Sequence, residues 1–124
     1  MKTKIKTLIH NGESITTEFK ESKSKLNKNV YETVCAFLNR DGGDILLGVA
    51  DDGTVVGVDA HKAEDLKKDF LTSVNNPQKL NPPAYLQVDI VEIDSKKVLH
   101  IFVPSSSSVH SLNGKIYDRN VMQI

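Results

Sequence analysis

The sequence predicts an α+β fold, with two helices packed on a mixed, largely antiparallel sheet. Three observations lead there. Two segments carry apolar residues at helical spacing, near residues 29–39 and 60–74. Two pairs of apolar runs are each joined by a short polar turn, around Asp51-Asp52-Gly53 and around Asp94-Ser95-Lys96-Lys97. A lone alternating segment, Thr16–Glu21, precedes the first helix. The predicted order is strand, helix, hairpin, helix, hairpin, strand.

In the first strand, alternation puts Thr17 and Phe19 on one face and Glu18 and Lys20 on the other. The polar stretch SKSKLNK follows, read as a loop or a helix start. The first helix runs from Asn27 or Asn29 to Asn39, with Val30, Val34, Phe37 and Leu38 as its stripe. Asn29 and Glu32 have the spacing of a reciprocal N-terminal cap. Gly42-Gly43 ends the helix, because glycine accepts positive φ. Asp44–Ala50 and Thr54–Val58 form the first hairpin, and Ile45, Leu46 and Leu47 in succession predict burial on both faces. Gly48 and Gly57 permit close approach of another backbone.

The second helix covers Ala60–Val74, capped by Asp59, with Ala63, Leu66, Phe70, Leu71 and Val74 inward. Asn75-Asn76-Pro77 stops it, and Pro82-Pro83 marks a rigid connection. Tyr85–Ile93 and Val98–Val103 form the second hairpin. A change of alternation at Ile90–Val91 means a bulge or two-faced burial. Ser105–Gly114 reads as a loop and Lys115–Arg119 as a short last strand.

The chain has 124 residues, 39% hydrophobic and 26% charged, which predicts one domain spanning 1–124. Sixteen basic and sixteen acidic residues cancel, so the whole chain is not a basic nucleic-acid binder. The first thirty residues nevertheless hold seven lysines against three glutamates. The lone Cys35 excludes an intrachain disulfide and a cysteine-rich zinc site, and its place beside the helix stripe makes it a core thiol. The start, MKTKIKTLIHNGES, lacks the apolar run of a signal peptide or membrane span. A cytoplasmic protein with no membrane contact is expected.

No phosphate loop is present, since Gly42-Gly43 lacks the Walker spacing. His10, His61, His100 and His110 form no local ligand pair, and Ser105–Ser108 has no nucleophile-elbow pattern. Glu13, Glu18 and Asp51 are the carboxylates of interest. Three that converge can hold a hard divalent cation, Mg²⁺ or Mn²⁺. Such a cation polarises a phosphodiester and activates water, while Lys20 offsets phosphate charge. Glu13 and Glu18 converge only if Glu13 precedes the strand or a bulge intervenes. The plainer alternatives are a Glu18–Lys20 pair and a turn role for Asp51 and Asp52.

Glu13-Ser-Ile-Thr-Thr-Glu18-Phe19-Lys20, then Asn39-Arg-Asp-Gly42-Gly43, then Gly48-Val-Ala-Asp51-Asp52-Gly53 resemble the Schlafen-type, Alba-like domain, in order and from Gly12 to about Arg119. The resemblance implies that fold and a DNA-binding module of bacterial transcriptional regulators and helicase-related proteins. It also implies a homodimer, and an N-terminal position in a longer protein with a further C-terminal domain. Some animal relatives cleave RNA with a three-carboxylate metal site, which would fall on Glu13, Glu18 and Asp51. The family's last strand runs Tyr-x-Arg into a Gly-Ser segment, whereas this chain has Tyr117-Asp118-Arg119-Asn120-Val121.

Three functions follow. The first is nucleic-acid binding, DNA in preference to RNA, with Lys20, Lys23, Lys25, Lys28 and Arg40 on backbone phosphates and no cofactor. The second is a metal-dependent ribonuclease using Glu13, Glu18 and Asp51, with Lys20 and Mg²⁺ or Mn²⁺. The third is a protein-interaction or dimerisation domain.

Overall fold

The computed structural model describes residues 1–119. The elements are α1 Lys2–Asn11, β1 Thr17–Lys20, α2 Lys28–Leu38, β2 Gly43–Leu47, α3 Ala63–Val74, β3 Leu80–Asn81, β4 Gln87–Ile93, β5 Lys96–Val103 and β6 Ser111–Leu112. The main sheet has the order β1-β2-β5-β4, and β3 and β6 form a separate two-stranded ribbon. β1 pairs parallel with β2, and the other contacts of the main sheet are antiparallel. The α+β expectation therefore holds, with one helix more than predicted.

β2 explains that extra helix. Ile45 and Leu47 face a core shared with α2 and α3, which includes Phe37, Phe70, Leu99 and Ile101. Leu46 faces the opposite way, into a second core with Ile5, Phe19, Val49 and Val98. α1 covers this second face with Ile5, Leu8 and Ile9, spaced as one helical stripe. Its lysines obscured that stripe in the sequence. Asp44 and His100 reinforce the arrangement from within the sheet. His100 Nε2 donates to Asp44 Oδ1 at 2.6 Å, and Lys4 of α1 reaches the same carboxylate at 3.9 Å.

α2 ends as expected: Gly42 has φ +76° and donates its N–H to Phe37 O at 2.8 Å. A Cβ there would lie 2.4 Å from Val103 O, so the turn and the close approach to β5 both require glycine. Asn27 occupies the N-cap of α2 and makes no side-chain cap bond, so the Asn29–Glu32 capping pair is not formed. α3 starts three residues later than predicted. Asp59 Oδ1 accepts the His61 N–H at 3.0 Å and holds a turn that precedes the helix.

The first predicted hairpin is looser than expected. Thr54–Val58 contributes only isolated bridges, Val49 with Val55 and Val58 with Lys97. Gly48 packs against Gly57 and Val58 as foreseen: a Cβ on it would lie 3.1 Å from Val58 N. The second hairpin is tighter, turning at Asp94-Ser95, both at positive φ. Such a two-residue turn matches the twist of its strands. β4 keeps one register from Gln87 to Ile93, so the Ile90–Val91 irregularity is two-faced burial and not a bulge. The predicted last strand is also corrected. Pairing there is Ser111–Leu112 with β3 and a single bridge at Lys115, while Ile116–Arg119 is irregular chain. Asn120 and Val121 of the C-terminal comparison lie outside the described residues.

Cys35 is buried, and its thiol, raised by burial, donates to His110 O at 3.4 Å. No helix among the described residues is long and apolar enough to cross a membrane. Because α1 supplies one side of the second core, Ile5→Ala should cost about 2–5 kcal/mol. Chemical denaturation measures this. A loss under about 0.5 kcal/mol, as at ordinary surface sites, would show that α1 contributes little to the fold.

Candidate functional site

Glu13 lies before β1, in the gap between α1 and the strand. Ser14 and Thr17 exchange backbone hydrogen bonds at 3.0 and 3.3 Å, and this tight turn folds Glu13 back along the strand. β1 is an edge strand, so an N–H on its outer side needs another acceptor. Glu13 Oε2 accepts the Phe19 N–H at 3.0 Å. The spacing difficulty with Glu18 is solved in this way, without a bulge.

Partial desolvation pushes the Glu13 carboxyl above the usual carboxylate range, opposed by the Phe19 N–H. The negative charges of Glu18 and Asp51 push it in the same upward direction. Both other predicted carboxylates thus act on Glu13. The three do not form a ligand set: among the described residues no three His, Cys, Asp or Glu side chains are placed to hold a metal ion. Asp51 and Asp52 have separated roles. Asp52 Oδ1 accepts the Thr54 N–H at 2.9 Å and shapes the turn, while Asp51 bears on Glu13.

Glu18 is held between two cations. Arg119 donates to its Oε1 at 2.8 Å, and Lys20 Nζ lies 3.4 Å from Oε2. The Glu18–Lys20 pairing read from the strand is therefore present. Arg119 also donates to Ser14 O and Ile15 O, and its guanidinium lies 4.7 Å over the Phe37 ring. Each of its three nitrogens donates once. Arg119 is the principal site residue that sequence reasoning missed. The signal was the Tyr-x-Arg pattern, whose partners lie about a hundred positions upstream.

Asn39 performs a similar clamp. Its amide takes both backbone groups of His110, at 2.7 and 2.9 Å, and also donates to Tyr117 O at 2.8 Å. The Tyr117–Arg119 segment is thereby laid across α2. Between that segment, α2 and β1 runs a groove of about 550 Å³, with Lys20 and Glu32 on its sides and Tyr117 at its edge.

The predicted phosphate-contacting residues divide. Lys23 and Lys25 are exposed in the β1–α2 connection and make no ion pair among the described residues. Lys28 stands at the start of α2, 3.9 Å from Glu32. Lys20 lines the groove. Arg40 lies beyond the far end of α2 and is bound through two nitrogens to Asp118, at 2.9 and 2.7 Å. Asp118 holds the Arg40 guanidinium further up, and Arg40 holds the Asp118 carboxyl below its usual range.

The Schlafen, AlbA_2 family model matches residues 13–123. The chain belongs to the Schlafen AlbA_2 family. Solved structures share its fold, two of them as follows. One is the N-terminal domain of a protein related to the ATP-dependent DNA helicase RecG, from Nitrosomonas europaea. It is 24% identical, with a TM-score of 0.64, and the match covers 93% of this chain and 87% of that one. The other is the DIP2311 protein of Corynebacterium diphtheriae, 14% identical with a TM-score of 0.64; the match covers 91% of this chain and 26% of that one. In this Schlafen AlbA_2 domain the motif blocks have physical roles. Glu13 and Glu18 organise the edge strand, Asn39 pins the C-terminal segment, and Gly42 lets α2 turn into β2.

The two shifted carboxyls have opposite consequences for stability. A lowered folded-state pKa adds stability above the ordinary carboxylate range, lost as pH falls through it; a raised one removes stability as pH rises. Asp118→Asn should therefore lower the unfolding midpoint at pH 7, by an amount that shrinks as pH falls below the ordinary carboxylate range. Glu13→Gln keeps an acceptor for Phe19 and should raise the midpoint at pH 7 but not near pH 3. Thermal melts across this range test both signs.

Proposed function

We propose that this domain binds nucleic acid, DNA in preference to RNA, through phosphate contacts from Lys23, Lys25 and Lys28, with Lys20 inside the adjoining groove. The observation that carries the reading is the run of exposed lysines at 23, 25 and 28, from the β1–α2 connection to the start of α2, two of them without a carboxylate partner among the described residues. A neutral chain whose lysines cluster at residues 23, 25 and 28 has a local footprint for a polyanion. Membership of the Schlafen AlbA_2 family and the likeness to the N-terminal domain of a helicase-related protein support the same reading. Arg40 contributes only when a phosphate displaces Asp118; that pair is about half exposed, and such pairs hold weakly. We place the domain in the cytoplasm, at the N-terminus of a longer transcriptional regulator. A homodimer, which doubles the lysine surface offered to a polyanion, is part of this proposal.

Four phosphate contacts give a log–log salt slope of about −3 to −4. Replacing Lys23, Lys25 and Lys28 with Glu should weaken binding at least about tenfold and flatten that slope by about three. Fluorescence anisotropy at several salt concentrations measures both. Unchanged affinity and slope would overturn the reading. No binding by the native protein, together with a dimer in light scattering, would support a protein-interaction domain instead.

The return of Glu13 onto β1, with its carboxylate on the Phe19 N–H next to Glu18, favours a second reading, ribonuclease activity at Glu13, Glu18 and Asp51. The carboxylates as arranged do not fit a metal ion, because Arg119 and Lys20 engage Glu18 and Phe19 engages Glu13. This reading requires Arg119 to release Glu18. It predicts RNA cleavage that depends on Mg²⁺ or Mn²⁺ and is lost in Asp51→Asn, read on a denaturing gel. Cleavage that persists in chelator would sink it.

A further inference from the structure

The groove between β1 and α2 has more shape than phosphate contact needs. Its volume, about 550 Å³, falls within the roughly 300–1,000 Å³ of sites that enclose a small ligand. One wall is a single face of α2, where Asn29, Glu32, Thr33 and Ala36 follow at steps of three, one and three residues. Ala36 ends at Cβ and leaves depth between its larger neighbours. The Thr33 hydroxyl is used, donating to Asn29 O at 3.0 Å. Asn29 and Glu32 are the other polar residues of that wall, and Glu32 also lies 3.9 Å from Lys28. Lys20 supplies an ammonium from β1, shared with Glu18 at 3.4 Å, and an incoming phosphate competes with that carboxylate for it.

Tyr117 supplies an aromatic ring at the edge of the groove. It packs against the main core while still lining the groove. Its hydroxyl donates to Glu32 Oε2 at 3.4 Å, and its backbone carbonyl is held by Asn39. The ring is therefore held in place before any ligand arrives, which lowers the ordering cost of stacking.

An aromatic ring, an amide-and-carboxylate edge and an ammonium match the three parts of a nucleotide: base face, base edge and phosphate. Paired bases inside a duplex present no free face. Resting on the nucleic-acid reading above, we infer that this groove seats one unpaired nucleotide of a strand. The base lies against Tyr117, its edge faces Asn29 and Glu32, and its phosphate lies toward Lys20. The domain thereby distinguishes single strands from duplex, which the exposed lysines alone cannot do.

The test titrates the full chain with oligo-dT, with the same oligonucleotide annealed to its complement, and with thymidine monophosphate. Oligo-dT should bind most tightly. Tyr117→Ala should weaken oligo-dT binding about 5- to 150-fold, the range for loss of one stacked base, and leave duplex binding in place. Tyr117→Phe keeps the ring and should retain most of the affinity. Equal loss for both substitutions, or equal loss on strand and duplex, would overturn the inference. So would thymidine monophosphate binding as tightly as the strand, which would make the ligand a free nucleotide. If Tyr117→Ala fails to fold, NMR of the native protein decides: oligo-dT should shift the Asn29 side-chain amide, Ala36 and the Tyr117 ring, and shifts confined to the exposed lysines would overturn it. Native protein that binds neither strand nor duplex would fail the nucleic-acid reading itself. Equal binding of both, unchanged in Tyr117→Ala, would fail only the groove.

Discussion

β2 is buried on both faces, and the rest of the architecture answers that constraint. Ile45 and Leu47 need one apolar cover and Leu46 needs another. A strand of this kind is stable only between two layers. α2 and α3 supply the first, and the short α1 supplies the second. β1 then pairs parallel with β2 at the edge. That placement leaves the outer side of β1 and the adjacent face of α2 open, and the candidate site occupies that opening.

Charge is arranged by the same geometry. The chain is neutral in total, yet its ionic groups are sorted around the groove. Glu18 is neutralised by Arg119 and Lys20, and Asp118 by Arg40. The lysines of the β1–α2 connection are left facing solvent. Burial matters to these pairs. Glu18 and Arg119 are each about four-fifths shielded, and the guanidinium has backbone carbonyls and a ring around it as well. A charge removed from such a cluster leaves its partner poorly solvated. The exposed Arg40–Asp118 pair exchanges with water or phosphate far more readily.

Much of the fold was legible because it rests on local periodicity. The stripe of α2, the inward residues of α3 and the opposite faces of Phe19 and Glu18 all follow from spacing alone. So does the double burial of Ile45–Leu47. Where local signals were weak, prediction failed. α1 has three apolar residues among lysines and no side-chain cap, so it did not read as a helix. β3 and β6 are two residues each, too short for any period to show. Thr54–Val58 looks like a strand by composition, but the positive-φ glycines at 48 and 57 interrupt its pairing. Lys115–Arg119 looked like a strand because the segment does bind the body of the protein. It does so through Asn39, Arg40 and Glu18 and not through a ladder.

The site divides along the same line. Residue type and order determined the candidate chemistry: carboxylates at 13, 18 and 51, lysines at 20, 23, 25 and 28, and the Asn39 and Gly42-Gly43 block. Those properties belong to the local chain and survive any arrangement of its distant parts. Whether groups meet was decided only by tertiary structure. The Ser14–Thr17 turn brings Glu13 to Phe19, Asn39 draws Tyr117 onto α2, and Arg119 takes Glu18 across a separation of 101 residues. Sequence spacing carries no information about contacts that close only when both layers have packed on the sheet, so the groove existed in the amino-acid order only as unconnected parts.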